Sequence, residues 1–242
     1  MSGTVRIGTS GWSYGHWKGP FYPDVLPAAR FLAFYAARFA SVEINNTFYH
    51  LPKEETLRRW RDTVPDGFVF AVKASRAITH FRKLKDAGES LAMFMDRVHV
   101  LGDRLGPVIF QLPPHWQMDV ERLRSFLAVL PEDGRYAFEF RDPSWFDEDV
   151  YEALTDRGAA FCIYDLAGRE SPRKVTSDMV YIRLHGPGGA YEGQYGDDAL
   201  SGWASAIGKW RDEGRDVYCY FDNDQSGYAP QDALRLQALL DA

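Results

Sequence analysis

Tyr136-Ala137-Phe138-Glu139-Phe140-Arg141 is the stretch whose reading decides the fold. Successive side chains of a strand point to opposite faces. Tyr136, Phe138 and Phe140 therefore share one face, and Glu139 and Arg141 share the other. Large apolar rings suit a face covered by helices, so Glu139 and Arg141 turn toward a space enclosed by strands. In a barrel of parallel strands that space is filled by alternate residues, and its C-terminal end carries the chemistry.

The same kind of run recurs along the chain. Strands are predicted over Val5–Thr9, Ser41–Asn45, Phe68–Ala74, Pro107–Leu112, Arg135–Arg141, Ala159–Asp165, Met179–His185 and Asp216–Asp222. Each is short, β-branched or aromatic, and bounded by Gly, Pro, Asp or Ser. Apolar residues at three- and four-residue spacing predict helices over Ala29–Ala40, Lys53–Thr63, Glu89–Leu105, Asp119–Leu130, Asp147–Arg157, Asp198–Glu213 and Gln231–Asp241. Strands joined by crossover helices form a parallel sheet. Eight such units close most economically into one α/β domain over residues 1–242, a single (β/α)8 TIM-like barrel with parallel strands. An open doubly wound sheet would carry a Gly-rich dinucleotide turn after its first strand, and none follows Ile7. Leu166–Asp178 contains Gly168 and Pro172, so an irregular connection, a loop or one short turn, is expected after strand six.

Composition narrows the function classes. The net charge of −6 gives no global pull toward nucleic acid or anionic lipid, though a local basic site is compatible with it. Cys162 and Cys219 lie far apart in apolar runs and are expected as buried, reduced thiols. Val5-Arg6-Ile7-Gly8 enters a strand with no signal-peptide core before it, and no apolar stretch approaches the ~18 residues of a membrane helix. A cytoplasmic protein without a membrane partner is expected.

Strand parity names the inner residues near the mouth: Glu43 and Asn45, Lys73, Gln111, Glu139 and Arg141, Arg183 and His185, Tyr220 and Asp222. The parity of Asp165 is ambiguous. Three acids and three bases at inner positions must pair, meet water or meet a ligand, because each buried charge is costly alone. A salt-bridge network that merely holds the barrel is one reading. A pocket for a polar, anionic ligand is the other. Catalytic candidates are Glu43, Glu139, His185 and Asp222. Ligand-binding candidates are Trp12, Tyr14, Asn45, Tyr49, Lys73, Gln111, Arg141, Arg183, Tyr220 and Asn223. Trp12 and Tyr14 come from an aromatic loop, Ser10 to Tyr22, that either stacks on a ligand or packs on itself. The glycine-rich loop His185–Tyr191 follows strand seven, where barrels often seat phosphate. No HExxH, CxxC or G-x-S-x-G occurs, so no metal site is expected. The cofactor is left unknown, with a single divalent cation on Glu43, Glu139 or Asp222 kept open.

Several segments together resemble one family. They are Gly8-Thr9-Ser10-Gly11-Trp12-Ser13-Tyr14, Glu43-Ile44-Asn45-Asn46-Thr47-Phe48-Tyr49, Phe70-Ala71-Val72-Lys73 with Ile78-Thr79-His80, Leu112-Pro113-Pro114, Glu139-Phe140-Arg141 with Ser144-Trp145, Arg183-Leu184-His185-Gly186, and Tyr220-Phe221-Asp222-Asn223-Asp224. In this order, over almost the whole chain, they are similar to the YecE-like family, domain of unknown function 72. The resemblance implies a TIM-like barrel and no established activity. Its likeness to endonuclease IV-type barrels suggests nucleic acid as a partner. The family usually reads Asn-Asn-Asp where this chain has Asp222-Asn223-Asp224, an extra carboxylate at the end of the last strand.

Three functions are thus expected, in this order. The first is a pocket enzyme acting on a small phosphorylated or polyhydroxylated substrate by acid–base chemistry, its reaction class undecided. The second is a nucleic-acid-binding or phosphodiester-cleaving protein. The third is a non-catalytic ligand sensor.

Overall fold

In the computed structural model, which describes residues 2–241, strands and helices alternate. The chain runs β1 (Val5–Thr9), α1 (Phe31–Ala36), β2 (Ser41–Ile44), α2 (Glu54–Thr63), β3 (Val69–Lys73), α3 (Gly88–Val98), β4 (Leu105–Gln111) and α4 (Val120–Leu127). It continues with β5 (Tyr136–Glu139), α5 (Glu148–Arg157), β6 (Ala160–Leu166), β7 (Arg169–Glu170), β8 (Met179–Leu184), α6 (Asp197–Asp212), β9 (Asp216–Phe221) and α7 (Tyr228–Asp241). The eight strands expected from the sequence are all present, and β7 is an addition.

Neighbouring strands pair in the order β1-β9-β8-β6-β5-β4-β3-β2, all parallel. A parallel bridge between Ser10 and Glu43 brings the two ends of this sheet together, with the Gly11 N–H donating to Glu43 O at 2.8 Å. The result is a nearly closed (β/α)8 barrel. Among the described residues no helix is long and apolar enough to cross a membrane.

Two joints of the ring are thin. β5 meets β6 only at Ala137–Ala160 and Phe138–Phe161. β1 and β2 meet through that single bridge, and the Tyr35 hydroxyl from α1 fills the gap beside it. This hydroxyl accepts from the Thr9 N–H at 2.9 Å and donates to Ser41 O at 3.1 Å. Gly8 lies at the same joint, where an added Cβ would sit 2.3 Å from Ser41 O.

Alternation sorts the core into two parts. Phe70, Val72, Val108, Phe110, Phe138, Phe140, Phe161, Ile163, Ile182 and Leu184 face the helices. Ala71, Ile109, Ala137, Ala160, Cys162, Met179, Tyr181, Tyr218 and Tyr220 fill the interior. Five of these inner residues stand two positions below a charged or amide side chain toward the C-terminal end: Ala71 below Lys73, Ile109 below Gln111, Ala137 below Glu139, Tyr181 below Arg183, Tyr220 below Asp222. The apolar layer is therefore the floor of the polar one. Both cysteines are buried free thiols, as expected.

Local chemistry explains several boundaries. The Asp147 carboxylate accepts from the Asp149 N–H at 2.9 Å and starts α5, and Gly158, at φ +68°, stops it. The helix expected through Leu105 ends at Val98, and the chain continues in tighter turns past Gly102, at φ +58°. The irregular connection after strand six is a hairpin. Ala167 and Gly168, at φ +56° and +71°, turn β6 back onto antiparallel β7 before the chain reaches β8.

Candidate active site

The polar layer is organised by Arg183 of β8, which is 1% exposed. Its Nε and Nη2 hold the two oxygens of Glu43 at 3.0 and 2.8 Å, and its Nη1 donates to Glu139 Oε2 at 2.7 Å. Asp222 Oδ2 lies 3.3 Å from Nη2. One guanidinium thus joins carboxylates from β2, from β5 and from the end of β9. Its planar fork suits the bidentate contact to Glu43. Ser10 donates to Glu43 Oε1 at 2.6 Å and the Tyr181 hydroxyl to Oε2 at 2.7 Å, so both Glu43 oxygens are saturated. Burial alone would raise the Glu139 carboxyl, but Arg141 and Arg183 beside it hold it well below the usual carboxylate range.

His185 occupies the next position. Arg141 Nη2 lies 2.9 Å from His185 Nε2, and His185 Nδ1 lies 3.1 Å from Asp222 Oδ2. A guanidinium can only donate, so Nε2 accepts and the ring proton on Nδ1 is donated to Asp222. Asp222 is the most open of the three carboxylates, with 14% of its side chain exposed against 0% for Glu43 and Glu139. Burial would raise Asp222, but its hydrogen bond with His185 and the charge of Arg183 hold it below its ordinary value.

Lys73 completes the mouth and differs from the other inner cations. Among the described residues no carboxylate oxygen lies within 4.0 Å of its Nζ and it makes no hydrogen bond. Its ammonium sits 4.5 Å from the centroid of the Phe48 ring. Burial and, next, the Arg183 charge lower its pKa to about 8, against the opposing pull of Glu139, Glu43 and Asp222. Two acceptors at the ends of the flanking strands β2 and β4 are also unsatisfied: Asn45 Oδ1 and Gln111 Oε1 are buried without a hydrogen-bond partner among the described residues.

The expected residues divide accordingly. Glu43, Lys73, Glu139, Arg141, Arg183, His185 and Asp222 converge. Tyr14 joins the rim, its hydroxyl donating to Ser10 O at 2.8 Å, and burial followed by the charge of Asp222 pushes its phenol up. Tyr49 is a rim residue, 60% exposed and edge-on to Phe48. Tyr220 lies in the floor, fully buried, its hydroxyl 2.6 Å from Ser41 Oγ, so no ligand reaches it from the mouth. Asn223 turns outward and ties Gly193 O and Asp232 together through Nδ2. Trp12 packs edge-on against Trp60, in a cleft of about 540 Å³ beside α1 and α2 that also touches Tyr14 and Asn45. Asp165 faces away from the lumen, near Tyr195, where burial raises its carboxyl. The glycine-rich loop after β8 spends two of its N–H groups internally, Gly186 on the Tyr195 hydroxyl and Gly188 on Glu192 O. Parity would have found Tyr181, two residues before Arg183. Ser10 carried no such signal, because it lies just past the end of β1.

The carboxylates kept open for a divalent cation surround a guanidinium instead, and Arg183 occupies the place between them. Among the described residues no group of three His, Cys, Asp or Glu side chains is placed to share one metal ion.

Residues 6–242 match the family described as "Protein of unknown function DUF72". The chain belongs to DUF72. The curated relatives of this DUF72 chain include the UPF0759 protein YecE of Escherichia coli, 32% identical over 155 residues. That match covers 64% of this chain and 54% of YecE, about half the relative's length. The UPF0759 protein YunF of Bacillus subtilis is 24% identical over 98% of this chain and 95% of its own. Among solved structures, a DUF72 protein of Thermotoga maritima superposes with a TM-score of 0.90 at 28% identity, covering 99% of this chain and 100% of that one. A DUF72 protein of Enterococcus faecalis gives 0.86 at 20% identity over 99% and 96%. The second likeness concerns the fold alone.

Proposed function

We propose that this DUF72 barrel is a pocket enzyme whose mouth takes a small phosphorylated or polyhydroxylated anion and transforms it by acid–base chemistry. The observation that carries this reading is Lys73. Three carboxylates and two arginines in the same layer are mutually paired, yet the Lys73 ammonium has no counter-ion among the described residues. A buried charge left unpaired in the free protein is a site for a ligand of opposite charge. Asn45 Oδ1 and Gln111 Oε1 supply acceptors for ligand hydroxyls. Glu43 and Glu139 are committed to arginines and serve as holders. The acid–base candidate is Asp222, the most open carboxylate of the layer, which the Nδ1–H of His185 holds in place.

A panel of inorganic phosphate, sugar phosphates and uncharged sugars in thermal unfolding tests this. A ligand at about 100 times its dissociation constant adds about 2.7 kcal/mol of stability. An anion-dependent rise that Lys73→Met abolishes supports the reading. No rise with any anion overturns it.

A second reading has one observation in its favour. Arg76 lies 5.2 Å from the Tyr49 ring and 5.3 Å from the Phe81 ring, and both aromatics are exposed, at 60% and 72%. Such a platform suits unpaired bases, where each stacked base adds about 1–3 kcal/mol. Salt-dependent retention of single-stranded DNA, lost in Phe81→Ala, would favour it.

A further inference from the structure

The position of Lys73 also suits chemistry that an anion clamp does not need. It projects from the C-terminal end of a barrel strand, a rigid support for a reacting group. The charged and titratable groups around it come from every side: Arg183 from β8, Glu139 from β5, Glu43 from β2, Asp222 from the end of β9, and Arg76 and His80 from the turn after β3. None gives Nζ a hydrogen bond. His80 is no rival for a proton, since burial and then the charges of Lys73 and Arg76 lower it to about 4. A lysine desolvated on an aromatic face and beside a fixed cation is the standard setting for an amine that reacts as a nucleophile. Arg141 stands ready for the anionic end of a substrate. Its Nε is engaged by Glu139 and its Nη2 by His185, while Nη1 makes no hydrogen bond among the described residues.

We propose that Lys73 is a nucleophile that condenses with the carbonyl carbon of a small anionic aldehyde or ketone, held by Arg141, to form an imine. The inference rests on the reading of the mouth as an anion site and names its substrate class. The neutral Nζ attacks the carbonyl carbon; the C–N bond forms and the C–O π pair moves to oxygen. The two nitrogen protons pass to that oxygen, which leaves as water, and the C=N bond remains. No oxidant, reductant or metal enters the balance. Asp222, the most open carboxylate of the layer, carries those protons.

The test uses the wild-type protein with glyoxylate as probe and cyanoborohydride to trap any imine, read by peptide mass spectrometry. At pH 8 a lysine titrating near 8 is about half neutral, whereas an ordinary one is below about 1% neutral. Lys73 should therefore be labelled at least about tenfold faster than the exposed lysines, with a pH midpoint near 8 and protection by inorganic phosphate. The Lys73→Arg variant keeps the charge and should lose the label. Labelling no faster at Lys73 than elsewhere, with phosphate still raising the melting temperature, overturns the imine and leaves the anion site standing. Neither labelling nor a phosphate effect overturns both.

Discussion

Lys73 carries a charge that the folded chain holds at a disadvantage. An unfolded chain keeps this proton up to about 10.5, whereas the folded one releases it near 8. Below pH 8 both states are protonated and the folded state bears the whole penalty. Between 8 and 10.5 the unfolded state binds the extra proton, so stability rises with pH there, and above that window the difference is gone. Lys73→Met should therefore stabilise the protein at pH 7 by up to about 3 kcal/mol, and the gain should fade as pH approaches 10. Urea unfolding at a series of pH values measures this, and a gain that does not depend on pH would contradict the unpaired ammonium. A stabilising loss of this kind marks a residue retained for activity. At this scale the sequence was informative wherever alternation applied. Glu43, Lys73, Glu139, Arg183 and Asp222 followed from inward parity alone. Trp12 and Asn223 did not, because they lie beyond the strand ends, where alternation no longer says which way a side chain turns.

Two short segments decide how well the elements join. The hairpin between β6 and β7 places Ala167 at φ +56°, a conformation that disfavours a Cβ. Asn tolerates it and favours such turns, so Ala167→Asn should add about 0.5–1 kcal/mol in urea unfolding, provided its N–H keeps its 2.9 Å bond to Gly186 O. The sequence marked this stretch as broken, through Gly168 and Pro172. It could not mark a hairpin, because Ala-Gly is not a turn signature. At the other joint, Tyr35→Phe removes the hydroxyl that links Thr9 to Ser41 and leaves a buried N–H and C=O unsatisfied. A loss of about 1–3 kcal/mol is expected, with faster hydrogen exchange at Thr9 than in the interior of β8. No pattern in residues 31–36 announces that role. A tyrosine on a helix reads as ordinary core until the strand it serves is in place.

Across the molecule, the thin joints separate β2 to β5 from β6, β8, β9 and β1. Arg183 belongs to the second group, and its contacts to Glu43 and Glu139 reach into the first. Arg141 and His185 cross in the same direction. The polar layer is thus both the candidate site and the fastening between half-barrels, so the two readings of a charge-balanced interior are not exclusive. Arg183→Met leaves Glu43 and Glu139 short of their shared counter-ion, and a loss of about 3–5 kcal/mol is expected in urea unfolding. A loss below about 1 kcal/mol would mean that the halves do not lean on this side chain. The eight strands were plain from the alternating segments. The division into halves was not, because it depends on how many residues of adjacent strands register, a property of the closed ring.

The first strand is held unevenly by its two neighbours. Five of its residues register with β9, and only the Ser10 bridge reaches β2. A nick in the exposed stretch from Pro23 to Val25 would therefore release nothing at once: the severed leader would stay zipped to the tail of the chain.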